Sequence, residues 1–212
     1  GLEHHSNIVP WQMMAEKNGA KIKIIPINEN GELNMKVYDN ILNSNTKLVF
    51  VNHVSNALGT INPIKTIIEK AHKVNAAVLI DGAQASAHFK TDLQELDADF
   101  YTTSAHKLCG PTGIGMLFGK EKWLKKLPPY QGGGEMISDV TFEKTTYAEL
   151  PHKFEAGTPN VSGAIAFGVA LDYLNGIGFA NIYEYESSLL KYATEKLKLI
   201  PNLKIYGKSK NK

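Results

Sequence analysis

Short apolar runs separated by stretches with helical spacing constrain this chain most. Lys21–Ile25 reads as a strand and Leu33–Leu42 as a helix. Leu48–Val51 is a second strand, followed by a helix over Pro63–Val74 in which Ile64, Ile67, Ile68 and Ala71 share one face. Pro63 suits a first turn, where no backbone N–H is needed. Ala76–Ile80 is apolar throughout, as a strand must be when both faces of its sheet are covered. Phe100–Thr103 and Ile114–Phe118 are two further strands. Strands spaced by helices make an α/β domain with a mainly parallel sheet. Ligands in such sheets bind beyond the C-terminal strand ends, so the residues that follow each run are the candidates for chemistry.

The pattern fades between Leu127 and Asn160, where Pro128-Pro129, Gly132-Gly133-Gly134 and Gly157-Thr158-Pro159 mark a long irregular excursion. Loops above ~15 residues are uncommon and often functional. Ser162–Leu174 then reads as a buried helix and Ile182–Ile200 as an amphipathic one. Leu203–Tyr206 starts another strand before a short basic tail. A chain that opens inside a functional segment and stops as a strand begins is expected to be part of a longer protein.

Composition removes several classes of function. The 212 residues carry 23 basic and 21 acidic side chains, a net charge of +2, so a dedicated nucleic-acid or membrane-surface binder is not expected. Every one of the 23 basic residues is lysine. A site that needs a bidentate guanidinium cannot be completed by this chain alone. The single cysteine excludes an intrachain disulfide and a multi-thiolate metal site, and fits a reducing cytoplasm. No apolar run approaches the ~20 residues of a spanning helix.

Asp81 ends the apolar run Val78-Leu79-Ile80. It could simply cap the next helix. It could also accept a cationic ring nitrogen, which would make an ionised carboxylate at a buried strand end sensible. Ser104-Ala105-His106-Lys107 follows Phe100–Thr103, and Lys107 lies between an apolar strand and Leu108-Cys109-Gly110-Pro111. A surface lysine is the ordinary reading, but a desolvated one is a Schiff-base nucleophile. Asp81 and Lys107 would then face one ligand from two strand ends. Gly110–Gly115 lacks the Gly-Lys-Ser/Thr ending of a phosphate loop, and no Gly-x-Gly-x-x-Gly follows the first strand. His4-His5 has no supporting ligand spacing for a metal; a ring stacked on a planar ligand is the better functional reading.

Five segments occur in order: Glu3-His4-His5-Ser6-Asn7-Ile8-Val9-Pro10-Trp11, His53-Val54-Ser55-Asn56-Ala57-Leu58-Gly59, Asp81-Gly82-Ala83-Gln84, Ser104-Ala105-His106-Lys107-Leu108 and Phe154-Glu155-Ala156-Gly157-Thr158-Pro159-Asn160. Together they resemble the Suf-type (group II) cysteine desulfurase and selenocysteine lyase family, within the class V aminotransferases. The resemblance implies the large domain of a fold type I enzyme dependent on pyridoxal 5'-phosphate, with a mixed, mainly parallel, seven-stranded sheet flanked by helices. The domain would cover residues 1–207, without its N-terminal phosphate loop and small C-terminal domain, and residues 208–212 would form a tail.

The resemblance also implies roles. Lys107 matches the lysine that holds the cofactor as a Schiff base and moves protons, and Asp81 the partner of the pyridine nitrogen. Gln84 matches the hydrogen-bond partner of the ring phenolate. His4 matches the imidazole stacked on the ring, with His5 beside it at the substrate. Asn56 resembles a residue that contacts substrate and ring oxygen. Ser104 and His106 match phosphate ligands, and Thr158 a residue that reaches the phosphate in a neighbouring subunit, hence a homodimer. The implied reaction converts L-cysteine, or selenocysteine, to L-alanine. Sulfur passes to an enzyme cysteine as a persulfide and then to an acceptor protein. Cys109, two residues after Lys107, stands where the family has no nucleophile and is expected to be structural, so this chain alone should turn over cysteine poorly or not at all. Another class V enzyme, an aminotransferase or a kynureninase-like hydrolase, would share Asp81 and Lys107 but not the whole set of segments. A non-catalytic domain that binds a partner through exposed apolar surface is the other alternative.

Overall fold

A computed structural model describes residues 1–212. A 3-10 turn, His5–Asn7, leads into α1 (Val9–Asn18), which ends at Gly19 in the left-handed conformation. α2 (Met35–Ile41) is capped by Asn34, whose side chain accepts from the Val37 N–H. The first three strands, β1 (Leu48–Asn52), β2 (Ala77–Asp81) and β3 (Phe100–Ser104), run parallel in that order. β4 (Gly115–Gly119) closes the sheet antiparallel to β3. Helices α3 (Ile64–Lys73) and α4 (Leu93–Leu96) make the crossovers on either side of β2.

α3 buries Ile64, Ile67, Ile68 and Ala71, the face its spacing predicts. They meet Val49, Val51, Val78 and Ile80 from the sheet, together with Tyr38 and Tyr101, in one hydrophobic cluster. Each fully buried isoleucine contributes about 2 kcal/mol by removal from water. The Tyr38 hydroxyl donates to the Ile67 carbonyl at 2.9 Å, so α2 is fastened to α3 by a bond made inside the core.

Beyond β4 come α5 (Glu121–Leu124), a hairpin of β5 (Ile137–Val140) and β6 (Thr145–Tyr147), then α6 (Val161–Ile177) and α7 (Phe179–Leu197). The two long helices bend by 73° at Gly178, and no single helix is long and apolar enough to cross a membrane.

Several expectations are corrected. The seven-stranded sheet is present in this chain as four strands. Lys21–Ile25 and Leu203–Tyr206 are not strands. Both lie mostly exposed, and at Ile25 the carbonyl takes its hydrogen bond from the Gly1 ammonium and not from a neighbouring strand. The excursion from Leu127 to Asn160 contains the β5–β6 hairpin, hidden because Ile137–Val140 and Thr145–Tyr147 are too short and polar to show alternation. α6 is not buried as a whole: Gly163, Ala170 and Leu174 are covered, while Val161, Ile165, Val169 and Tyr173 are exposed. Residues 208–212 do not hang free. The Lys208 N–H donates to Asn30, the Asn211 carbonyl accepts from Ile61, and Ser209 is buried.

Asp99 is a charged group inside this fold, 1% exposed at the start of β3. Its Oδ2 accepts from the Val78 N–H at 2.9 Å and lies 2.8 Å from His72 Nε2, and its Oδ1 accepts from Trp123 Nε1 at 2.7 Å. Burial pushes its carboxyl upward, but the bonds from His72, Trp123 and Val78 outweigh that and hold it below its ordinary 3.8. A carboxylate with a depressed native pKa stabilises the fold above its unfolded pKa and loses that contribution as pH falls through the native value. Asp99→Asn turns one acceptor oxygen into a donor facing donors and should cost about 2 kcal/mol at pH 7. Urea midpoints at pH 7 and pH 3 check this: the gap between wild type and variant should narrow on acidification. An unchanged gap would mean that the Asp99 charge is irrelevant.

Candidate active site

The three parallel strands end side by side. Asn52 pairs in register with Asp81, and Asp81 with Thr102. Around these tips is a cavity of about 410 Å³, within the size range of small-ligand sites. Asp81, Gln84, Asn56, Ser104, His106 and Lys107 line it from the strand ends, and His4 lines it from the N-terminal segment.

Each is held by local structure. Asp81 Oδ1 accepts from the Ala83 N–H at 2.9 Å, so the carboxylate caps its own turn, while Oδ2 makes no hydrogen bond within the chain. The capping and functional readings of Asp81 are therefore compatible. Asn56 sits on a tight turn in which the Ser55 hydroxyl accepts from Ala57 and Leu58, closed by a bond from the Ser55 N–H to Thr60. Lys107 ends a 3-10 turn, Ala105–Lys107, directly after β3. The loop that carries it is shut where the Ala105 N–H donates to Ile114 at 3.1 Å, because β4 returns beside β3. Lys107 is half-buried and belongs to none of the chain's ion pairs.

A shelf of aromatic rings supports the Asp81–Gln84 turn. A side chain on Gly82 would fall on the ring of Tyr101, so only glycine allows the turn to lie this close to β3. The Tyr101 hydroxyl is 3.2 Å from His53 Nδ1, and His53 stands edge-on to Phe89 at 5.0 Å. Burial pushes His53 down to about 4, which leaves it neutral near pH 7, and pushes the Tyr101 phenol up.

Two predicted residues are not among those lining the cavity. His5 is exposed, its ring 5.9 Å from that of His4, and Thr158 is exposed on its loop. The role implied for Thr158 lies toward another subunit. Cys109, expected to be structural, is exposed with φ 60° and does not line the cavity. The site also includes Asn7, Trp11, Asn52 and Thr102, to which the sequence reading assigned no role. Asn52 and Thr102 could have been found from their places at strand ends. Behind the wall, Glu3 accepts from the Asn52 N–H at 2.9 Å and from Asn7 Nδ2 at 2.7 Å. Burial raises its carboxyl; these two bonds pull it back, and the Asp81 charge adds to the rise.

Comparison with known proteins follows the same lines. The chain is 51% identical over 207 residues to a cysteine desulfurase of Cronobacter sakazakii and 49% identical to one of Escherichia coli O7:K1; these alignments cover 97% of this chain and 51% of each relative. It therefore spans about half the length of the curated relatives it matches. Among solved structures, the cysteine desulfurase CsdA from Escherichia coli superposes with a TM-score of 0.92 at 38% identity, over 94% of this chain and 50% of that one. The apo cysteine desulfurase from Thermococcus onnurineus NA1 gives 0.90 at 36% identity, over 97% and 53%. The aminotransferase class-V family model matches residues 1–212, and the chain belongs to that family.

Proposed function

We propose that this chain is the cofactor-binding part of a cysteine desulfurase dependent on pyridoxal 5'-phosphate. The observation that carries the reading is that Asp81 and Lys107 line one cavity together with His4, Asn56, Gln84, Ser104 and His106. The donor set suits the group. A carboxylate meets a protonated ring nitrogen, an unpaired amine meets an aldehyde carbon, and a hydroxyl and an imidazole at Ser104 and His106 meet a phosphate. When bound, the cofactor supplies an electron sink for the carbanion formed at the substrate Cα.

The residues do the rest. Asp81 would meet the ring nitrogen through Oδ2, since Oδ1 is occupied by Ala83. Lys107 Nζ would hold the cofactor at its aldehyde carbon, and the same amine, once free, would move a proton to and from the substrate Cα. Gln84 would donate to the ring oxygen, His4 would cover one face, and Asn56 would orient the substrate. L-Cysteine leaves as L-alanine, its sulfur passing as a persulfide to a cysteine thiol. Cys109 does not line the cavity, so that thiol is proposed to come from the rest of the protein. Selenocysteine as an alternative substrate, His5 beside His4 at the substrate, a homodimer in which Thr158 reaches the phosphate in a neighbouring subunit, an acceptor protein for the sulfur in iron–sulfur cluster assembly, and a cytoplasmic location belong to the same proposal.

The test uses the abundance of lysine. The chain is mixed with pyridoxal 5'-phosphate, reduced with borohydride and mapped by peptide mass. With 23 lysines available, a pyridoxyl label confined to Lys107 supports the reading. A label spread over surface lysines, or fixed on another one, overturns it.

A further inference from the structure

The N-terminal segment is tied to the sheet by a run of hydrogen bonds that reads in one direction. Trp11 Nε1, which can only donate, gives to Asn7 Oδ1 at 2.9 Å. That fixes the Asn7 amide, whose Nδ2 gives to Glu3 Oε2 at 2.7 Å. The other Glu3 oxygen takes the Asn52 backbone N–H at 2.9 Å. Asn52 in turn gives its Nδ2 to the Leu2 carbonyl at 2.5 Å and accepts at Oδ1 from Asn62 Nδ2 at 2.5 Å. Asn7, Asn52 and Asn62 are buried. Both Glu3 oxygens therefore face obligatory donors, and only a carboxylate satisfies both. His4 lies between Glu3 and Asn7 in sequence, and its carbonyl accepts from the Asn7 N–H at 2.8 Å. Leu2 and Glu3, before His4, are thus fastened to the tip of β1 beside Asp81, and Asn7, after it, is fastened to Glu3; the His4 ring turns back on this segment, its Nδ1 2.7 Å from Ser6 Oγ and accepting from the Ser6 N–H at 3.2 Å.

We propose that Glu3 and Asn7 are positioning residues, a polar latch that locks His4 against the cavity wall. Glu3 stands behind the wall and Asn7 lines it; in the latch both act by fixing His4. The effect on cofactor affinity rests on the function proposed above, whereas the latch itself does not.

The polarity of the run supplies the test. Glu3→Gln sets an NH2 against the Asn7 NH2, and turning Asn7 around to meet it would abandon Trp11. Asn7→Asp sets one carboxylate against another. The pair Glu3→Gln with Asn7→Asp restores every bond: Asn52 N–H to Gln, Gln to Asp, Trp11 to Asp. In the cofactor-free chain, the imidazole NMR signal of His4, identified by its loss in His4→Gln, and the indole N–H signal of Trp11 should both move in each single variant and return in the double. Affinity for pyridoxal 5'-phosphate should fall about tenfold in each single variant, a loss on the scale of one charged hydrogen bond, and recover in the double. A His4 signal that stays in place in Glu3→Gln, or a double variant no better than the worse single, overturns the latch. If a single variant does not fold, a folded double upholds the latch and an unfolded double overturns it. A wild-type chain that binds no pyridoxal 5'-phosphate sinks the proposed function, and the latch is still decided by the His4 and Trp11 signals.

Discussion

If the proposed function holds, Lys107→Ala is expected to abolish stable uptake of pyridoxal 5'-phosphate and, in the whole protein, to lower cysteine turnover by at least about 10³-fold, because in that proposal one amine serves as both covalent anchor and proton carrier. The same change should leave the fold alone. Lys107 is half-buried, takes part in no ion pair, and projects from a turn whose backbone bonds run from Leu108 and Gly110 to Ala105. Truncation at such a position costs about 0.5 kcal/mol or less. Visible absorbance of the reconstituted protein, alanine release from cysteine and a thermal melt separate the two effects. Turnover within tenfold of wild type would remove Lys107 from the chemistry. A collapsed melting transition would make it a structural residue instead.

Gly82→Ala should have the largest effect on stability. The added methyl would fall on the Tyr101 ring, which is buried and hemmed in by His53 and by the Phe89 edge beyond it. Neither the strand nor the ring can yield without disturbing the core, so a loss of about 3 kcal/mol is expected, with the Asp81–Gln84 turn displaced as well. Tyr101→Leu deletes the ring atoms in the way, at its own cost in lost packing. The two changes together should therefore destabilise by less than the sum of their separate effects, by about 1 kcal/mol or more. Denaturant melts of the four proteins give the answer, and simple additivity would show that the close approach is relieved elsewhere.

The part of the fold written in periodicity was readable. α3 announces its buried face through Ile64, Ile67, Ile68 and Ala71, and β2 announces its central place by being apolar on both sides. Asp81 stood out as a candidate because it directly follows such a run, and Lys107 because it stands on the short turn just beyond one. What escaped has no periodic signature. The alternating lysines and isoleucines at Lys21–Ile25 look strand-like, yet a strand exists only where a neighbour supplies the other half of its ladder. The β5–β6 hairpin is too short to alternate. The burial of α6 depends on what lies against it, since a helix apolar on all sides does not say which side meets the rest of the chain. Glu3 was visible as a member of its segment, but its role depends on a strand end 49 residues away. Contacts of that span leave no local trace.

The antiparallel return of β4 bears on how the amine at Lys107 can travel. Anchored at one end by β3 and at the other by the bond between Ala105 and Ile114, its backbone cannot swing with the ligand. In the proposed reaction, displacement of the amine would come from rotation about the side chain's own four carbon–carbon bonds, a sweep measured from a fixed pivot. A head group on such a tether can leave one atom and reach a neighbouring one within the same cavity, then come back to where it began.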